Sequence, residues 1–127
     1  MLLSILKSLF GLKPDEPEPI RDFYTKVVGV SHRNSDGSSR QRALKGCRQG
    51  MALQLIPEPN NPYDSDAIAV MTEAGNQIGY IASDTASKLR HYIEKGFRFQ
   101  VKVKDITGGT REKPTFGCNL VVKIFEK

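Results

Sequence analysis

The sequence predicts a mainly β fold, a small and partly open β-barrel of about six short strands with two short helices. Three observations support this prediction. The chain has 127 residues, enough for one domain with one hydrophobic core. Short runs rich in β-branched residues recur along it, separated by turn-forming residues. Only two segments carry helix-capping signals, and many short strands with few helices favour a small barrel.

The N-terminal part of the chain differs from the rest. Residues 1–12 are almost entirely apolar, but a helix of this length is too short to cross a bilayer. Residues 13–19 hold three prolines and three acidic residues, which is typical of an extended linker. We therefore predict an apolar segment plus linker over residues 1–20 and a folded domain over residues 21–127. The apolar segment either packs on the domain or frays, or it docks on a membrane surface or a partner protein.

The first half of the domain predicts two strands and a helix. Lys26–Val30 is rich in β-branched residues and predicts the first strand. Residues 31–37 are polar and predict a loop, and residues 38–46 predict a short helix between a serine cap and a closing glycine. Residues 51–56 predict the second strand, which Pro57 ends.

The second half predicts four more strands and the clearer helix. Residues 67–71 and 77–81 predict strands joined as a hairpin, because the turn between them contains glycine. Residues 83–96 begin with a polar cap, carry one apolar face and end at a glycine, as a helix does. Residues 97–104 alternate apolar with cationic or polar side chains, and residues 118–124 supply the inward face of a last strand. These elements together predict an OB-like, partly open barrel.

Positive charge is concentrated in the predicted domain. The whole chain has a formal net charge of +5; residues 1–20 hold two basic and three acidic residues, which leaves 17 basic and 11 acidic residues, a net charge of +6, for the domain. A basic domain attracts polyanions, although charge alone does not name the polyanion. The loop and helix within residues 31–50 are the most one-sided region, and their cations are candidate phosphate contacts. The cationic side chains of residues 97–104 are better explained as the solvated face of a strand than as phosphate contacts.

The cysteines and histidines are too scattered for a disulfide framework or a zinc site. Cys47 and Cys118 are far apart, and His32 and His91 are isolated, whereas structural zinc needs four ligands in close pairs. We therefore expect no metal and no other cofactor. Two unpaired cysteines and the lack of a secretory signal pattern predict a cytoplasmic protein.

A loop of strong turn formers, Asn60–Asp64, contains the candidate chemistry. Its Tyr63 either stacks on a nucleic-acid base or packs as a plug that pins its own loop, and both alternatives remain open. Phe116, beside a glycine at the start of the last strand, is a second candidate for stacking. Asp64 and Asp66 suggest a metal-dependent nuclease, but two-metal sites need several converging carboxylates, and loop capping is the simpler explanation.

Four stretches in this order and spacing resemble a HIRAN domain: Val27–Val30, Gly37–Gln41, Leu53–Val70 and Ile78–Ile81. The resemblance covers residues 23–126. It implies an OB-like barrel of a kind found as an accessory domain in eukaryotic fork-remodelling helicases and as stand-alone bacterial and phage proteins. The resemblance also implies that, in the helicases, the domain captures the 3′-hydroxyl end of single-stranded DNA.

The resemblance also assigns roles to the turn-rich loop. Asn61, Tyr63 and Asp64 match the family's conserved loop, so Tyr63 would stack on a terminal base and Asp64 would accept a hydrogen bond from the 3′-hydroxyl. This chemistry is sensible, because a carboxylate accepts from a hydroxyl and repels a terminal phosphate. The sequence departs from the helicase members where they carry an Arg-aromatic-aromatic segment. His32 and Arg33 stand there instead, and both can stack.

We therefore predict a non-enzymatic, monomeric module that binds nucleic acid, with single-stranded DNA as the favoured ligand. The predicted process is DNA repair or replication-stress processing. Selectivity for the 3′-hydroxyl end is the finer form of this prediction. The predicted contacts are His32, Arg33, Arg40, Arg42, Asn61, Tyr63, Asp64 and Phe116. One alternative is a protein-interaction scaffold docked through Met1–Leu12, and another is a metal-dependent nuclease that uses Asp64 and Asp66.

Overall fold

The computed structural model describes residues 17–127, so the predictions for Met1–Leu12 and for the first part of the linker lie outside the described residues. The six strands are β1 Arg21–Val28, β2 Ala52–Pro57, β3 Ile68–Thr72, β4 Gln77–Ile81, β5 Arg98–Thr107 and β6 Gly117–Phe125. The two helices are α1 Arg40–Lys45 and α2 Ser83–Glu94. Neither helix in this part of the chain is long and apolar enough to span a bilayer.

The strands form a closed barrel in the order β1-β4-β3-β2-β5-β6, in which β6 returns to β1. Every pairing is antiparallel. The prediction of a mainly β, OB-like barrel of six strands with two helices is confirmed. The predicted gap in the barrel is wrong, because β1 and β6 pair from Arg21 opposite Ile124 to Lys26 opposite Asn119.

Alternate residues of the strands fill the barrel. Side chains in a strand point to opposite faces in turn, so one set from each strand is buried. The largest fully buried side chains on the strands are Ile68, Ile78, Leu120, Ile124, Val27, Val70, Val103 and Val122. Leu44 of α1 and Leu89 of α2 are buried against the same core. Each such side chain contributes about 1.5–3 kcal/mol of burial free energy, which anchors the loops between the strands.

The bounds of the first strand differ from the prediction of Lys26–Val30. The strand begins at Arg21 because Phe23 packs against the core and pairs with Val122 of β6, a contact that local sequence does not reveal. It ends at Val28 because Gly29 turns the chain with φ of 70°. The turn at Gly29 therefore separates the barrel from the polar loop that follows.

Helix α1 is shorter than the predicted 38–46. It has six residues, and the Ser39 side chain caps it by accepting a hydrogen bond from the Arg42 backbone N–H at 3.1 Å. This satisfies one of the free N–H groups at the helix start.

Gly79 brings β1 and β4 unusually close together. A Cβ atom at this position would lie 2.5 Å from the carbonyl oxygen of Val28 and 2.6 Å from Cγ1 of Val27. Only glycine permits this approach without a shift of the backbone. As a result Val28 lies directly opposite Tyr80, and the end of β1 faces the loops that surround β4.

Candidate nucleic-acid interface

A groove of about 1210 Å³ opens where the end of β1, the loop after it, β4 and the loop after β2 meet. Its lining combines polar and apolar side chains from segments that are far apart in sequence. The groove brings together six of the eight predicted contacts: His32, Arg33, Arg40, Asn61, Tyr63 and Asp64. Arg42 and Phe116 do not line it.

The loop after β2 is held in shape by Asn61. Its side-chain oxygen accepts hydrogen bonds from the backbone N–H groups of Tyr63, at 2.9 Å, and Asp64, at 3.1 Å. Its amide nitrogen donates to Oε1 of Glu58 at 3.0 Å, and the Tyr80 hydroxyl donates to the same oxygen at 2.9 Å. Asn61 therefore shapes the loop, and Glu58 fastens the loop to β4.

Tyr63 stands out from this ordered loop with 95% of its surface exposed, the highest value among the large hydrophobic residues of the described chain. A ring so exposed packs on nothing, so the alternative that Tyr63 plugs its own loop is wrong. Both faces of the ring are accessible to a flat partner.

Asp64, next to Tyr63, is half-buried. Its Oδ1 accepts a hydrogen bond from the Asp66 backbone N–H at 2.9 Å, and its backbone oxygen accepts from Ala67 at 3.1 Å. A carboxylate has about four acceptor positions, so this single side-chain bond orients the group and leaves most of its capacity for a ligand.

The loop after β1 supplies another part of the groove lining, and Asn34 organises this loop. The Asn34 amide donates to Oγ of Ser38 and to the backbone oxygen of Gln77, both at 3.0 Å. Arg33 donates to the backbone oxygen of Gly37 at 2.9 Å, and both it and His32 remain exposed. Two exposed side chains that can stack or carry positive charge thus face the groove from a fixed loop.

One acidic side chain of this loop, Asp36, is also fixed. The Ser38 hydroxyl donates to it at 2.6 Å and the Ser38 backbone N–H at 2.9 Å. These hydrogen bonds hold the pKa of Asp36 below its ordinary value. Asp36 lies outside the groove lining, so its carboxylate braces the loop.

Arg40 is placed differently from the exposed phosphate contact that the sequence suggested. Only 8% of its surface is exposed. Its Nε donates to Oδ1 of Asn34 at 2.7 Å, its Nη1 donates to the backbone oxygen of Gly29 at 2.8 Å, and its guanidinium carbon lies 5.2 Å from the centre of the Tyr80 ring. Arg40 therefore joins β1, the polar loop and β4, and it positions the groove.

Arg42 and Phe116 lie elsewhere. Arg42 is exposed and lines a separate cleft of about 550 Å³ beside α1, which shares only Arg33 and Gln77 with the groove. Phe116 is half-buried, and the Gln41 amide brackets its backbone by donating to its oxygen at 3.0 Å and accepting from its N–H at 2.8 Å. The structure gives Phe116 a packing position.

Within residues 17–127, no group of three or more histidine, cysteine or acidic side chains is arranged to hold a metal ion. The backbone N–H of Asp66 instead donates a hydrogen bond to the Asp64 side chain, and this bond shapes the loop. The two cysteines are free and buried. Burial raises the pKa of the Cys47 thiol and raises that of Cys118 to about 12, so both are packing residues.

Residues 20–124 match the sequence model of a family described as the HIRAN domain. The chain belongs to the HIRAN domain family. This HIRAN domain is 46% identical over 42 residues to the Helicase-like transcription factor of Oryctolagus cuniculus. That stretch is 33% of this chain and 4% of the rabbit protein, so the likeness concerns a small part of a much longer protein.

Two solved structures have a similar fold. The crystal structure of the HIRAN domain of human HLTF is 23% identical, with a TM-score of 0.63 over 84% of this chain and 76% of that one. A protein from Lactobacillus plantarum is 24% identical, with a TM-score of 0.65 over 84% of this chain and all of that one. At this level of identity the likeness establishes the barrel and its topology.

Three residues that build the groove of this HIRAN domain were not predicted from the sequence: Asn34, Glu58 and Tyr80. Tyr80 lies on the predicted strand 77–81, and it is half-buried and lines the groove. Alternation gives no clear signal for it, because counting from the buried Ile78 places Tyr80 inside the barrel whereas counting from the buried Ile81 places it outside. The roles of Asn34 and Glu58 depend on partners 43 and 22 residues away and leave no local pattern.

Proposed function

We propose that the groove binds the end of a single-stranded nucleic acid, preferably DNA, and that the chain is a non-enzymatic binding module in DNA repair or replication-stress processing. The observation that carries the proposal is the Tyr63 ring, 95% exposed and adjacent to the oriented carboxylate of Asp64. Membership of the HIRAN family supports nucleic acid as the class of ligand.

Base stacking is the main attraction that Tyr63 offers. Stacking of a base on an aromatic side chain contributes about 1–3 kcal/mol and tolerates any base. Asn61 fixes the loop before the ligand arrives, so little conformational entropy is lost on binding. Across the groove, His32 offers a second ring and Arg33 a cation for the adjoining phosphate.

Asp64 provides the basis for selecting a hydroxyl end. Its carboxylate accepts hydrogen bonds and donates none when ionised, so it suits a terminal hydroxyl. A terminal phosphate would place negative charge against it, which is unfavourable in a partly buried site. Arg33 and Arg40 line the same groove, so it also holds positive charge for the internal phosphates of a strand.

Fluorescence anisotropy with matched oligonucleotides that end in a 3′-hydroxyl or a 3′-phosphate tests the proposal. We expect tighter binding of the hydroxyl end by the wild type. Asp64→Asn keeps an acceptor for the Asp66 backbone but removes the charge, so it should bring the two affinities closer together. Equal affinity of the wild type for both ends would refute end selection, and DNA and RNA versions of each oligonucleotide identify the preferred sugar.

The Tyr63 ring has its own test. Tyr63→Ala should weaken binding by about 1–3 kcal/mol, whereas Tyr63→Phe, which keeps the ring, should retain most of the affinity. The melting temperature of both variants should match that of the wild type, because the ring contacts nothing in the folded domain. No binding at low salt would favour a protein-interaction scaffold. Shortening of the oligonucleotide in Mg²⁺ or Mn²⁺ would favour a nuclease.

A further inference from the structure

The outer face of β1 carries a line of exposed apolar side chains that leads to the groove. The exposed large hydrophobic residues of the described chain are Ile20, Tyr24, Val28, Ile56 and Tyr63. Tyr24 and Val28 are four residues apart on β1, so they point to the same side of the strand, and Ile20 directly precedes the strand. Val28 also lines the groove. The line therefore begins at the groove and continues along the barrel.

Cations flank this line on the neighbouring strands. Tyr24 lies opposite Val121 of β6, which lies opposite Lys102 of β5, and side chains in directly paired positions share a face. The basic residues of this face are Lys26, Arg98, Lys102, Lys104 and Lys123. The acidic residues are Asp22 and Asp105, and Asp105 is engaged by Lys104 at 3.5 Å and by the Asn119 amide at 2.7 Å.

The aromatic rings of this face are each paired with a cation. The Lys104 ammonium lies 5.0 Å from the centre of the Tyr24 ring, and the Arg98 guanidinium carbon lies 5.6 Å from the centre of Phe125. Tyr24 nevertheless remains 68% exposed. Of the cations around this ring, Lys26, Lys102 and Lys123 form no salt bridge with another described residue. A supported but accessible ring beside such cations is typical of surfaces that bind single strands.

We propose that the outer face of β1, β6 and β5 is a second contact for the same single strand, with Tyr24 as a second stacking ring. The inference rests on the proposed function of the groove. Val28 and Tyr24 are separated by about 13 Å at 3.3 Å per residue, so the face is reached only by a strand longer than the groove itself holds. Lys26, Lys102 and Lys123 neutralise phosphates of this second part, and the excess of positive charge selects a polyanion.

Binding of the full chain to two oligonucleotides with 3′-hydroxyl ends tests the inference. One has about 3 nucleotides and fills only the groove, and the other has about 12, within the roughly 4–16 that one OB fold covers. Tyr24→Ala should weaken binding of the long oligonucleotide about 5- to 100-fold and change that of the short one less than about twofold. Tyr24→Phe should retain the affinity. Ile56→Ala removes an exposed apolar residue from another strand and is the matched control, with no effect on either.

The salt dependence of the binding constant measures how many phosphates the protein contacts. Lys26→Gln and Lys123→Gln should each lower the slope of log K against log salt by about 0.7 for the long oligonucleotide only. If the wild type binds both lengths but Tyr24→Ala leaves the long one unaffected, or weakens both equally, the second contact is refuted while the groove stands. If the wild type binds neither, the proposed function itself fails and the inference with it.

Discussion

Replacing Arg40 with alanine separates two roles that an arginine near a nucleic-acid site can have. The side chain is 8% exposed, and its guanidinium makes two short hydrogen bonds and one contact with an aromatic ring. If Arg40 positions the groove, its loss lowers the stability of the fold. If it is a phosphate contact, its loss lowers affinity alone.

The expected loss of stability follows from the partners of Arg40. A hydrogen bond to a charged group contributes about 1.5–3 kcal/mol, and a cation–π contact about 0.5–1 kcal/mol. The three contacts share one side chain and do not add fully, so we expect Arg40→Ala to lower the free energy of unfolding by about 3–5 kcal/mol. The cost includes the part-buried side-chain oxygen of Asn34, which would lose the donor that Arg40 supplies, whereas the Gly29 oxygen would keep the His32 backbone N–H at 3.2 Å. The total free energy of unfolding of a domain of this size is about 5–15 kcal/mol, so the expected loss is a large part of it.

Urea unfolding followed by circular dichroism measures this loss. Arg42→Ala is the matched control, because Arg42 lies on the same helix, is exposed, and should change stability by no more than about 0.5 kcal/mol. Oligonucleotide binding is measured in parallel at a temperature where both variants are folded. If Arg40→Ala is as stable as Arg42→Ala but fails to bind, the positioning role is wrong and Arg40 is a direct phosphate contact.

Three further predictions concern the framework of the groove. Gly79→Ala forces β1 and β4 apart and should cost about 1–3 kcal/mol, measured as a lower midpoint of urea unfolding; an unchanged midpoint would mean that the strands separate freely. Asn61→Ala removes the acceptor for two backbone N–H groups, so amide hydrogen exchange at Tyr63 and Asp64 should accelerate while the barrel strands stay protected. Burial raises the pKa of Cys118 from 9.0 to about 12, so this thiol should resist alkylation at pH 9 in the folded protein and react only on unfolding. Because the fold favours the protonated thiol, the free energy of unfolding should fall as pH rises from about 9 toward 12.

Local patterns predicted the elements whose signals lie within a few residues. The hairpin of β3 and β4 and the end of helix α2 are examples, because Gly75 in the turn and Gly96 after the helix act on their immediate neighbours. The predicted polar cap at the start of α2 is wrong, because Ala82 is the residue at the cap position and no side chain there makes a capping hydrogen bond. The start of β1 was missed because Phe23 and Tyr24 belong to the strand only through pairing with β6, nearly 100 residues away. The closure of the barrel depends on the same distant pairing.

In the candidate site, too, some features depend on local sequence and others on distant contacts. The loop around Tyr63 could be predicted from its turn chemistry, because Asn61 satisfies the loop locally, but whether the ring is exposed or packed could not. Arg40 and Arg42 are indistinguishable in the sequence of one short helix, and only the position of Gly29 and Asn34 buries the first and leaves the second in solvent. Six of the eight contacts predicted from the sequence line the groove, but the sequence does not distinguish a residue that contacts a ligand from one that supports the groove.

The pairing of Arg21 with Ile124 places the start of β1 and the end of β6 side by side, at the opposite end of β1 from Val28 and the groove. A polypeptide that is joined to either end of the barrel sequence is therefore attached at one pole, while the groove opens at the other. Such a module can be inserted into, or appended to, a longer chain without blocking its groove. It can also be circularly permuted, with Arg21 and Phe125 joined by a short linker and new ends opened at the turn that contains Gly75.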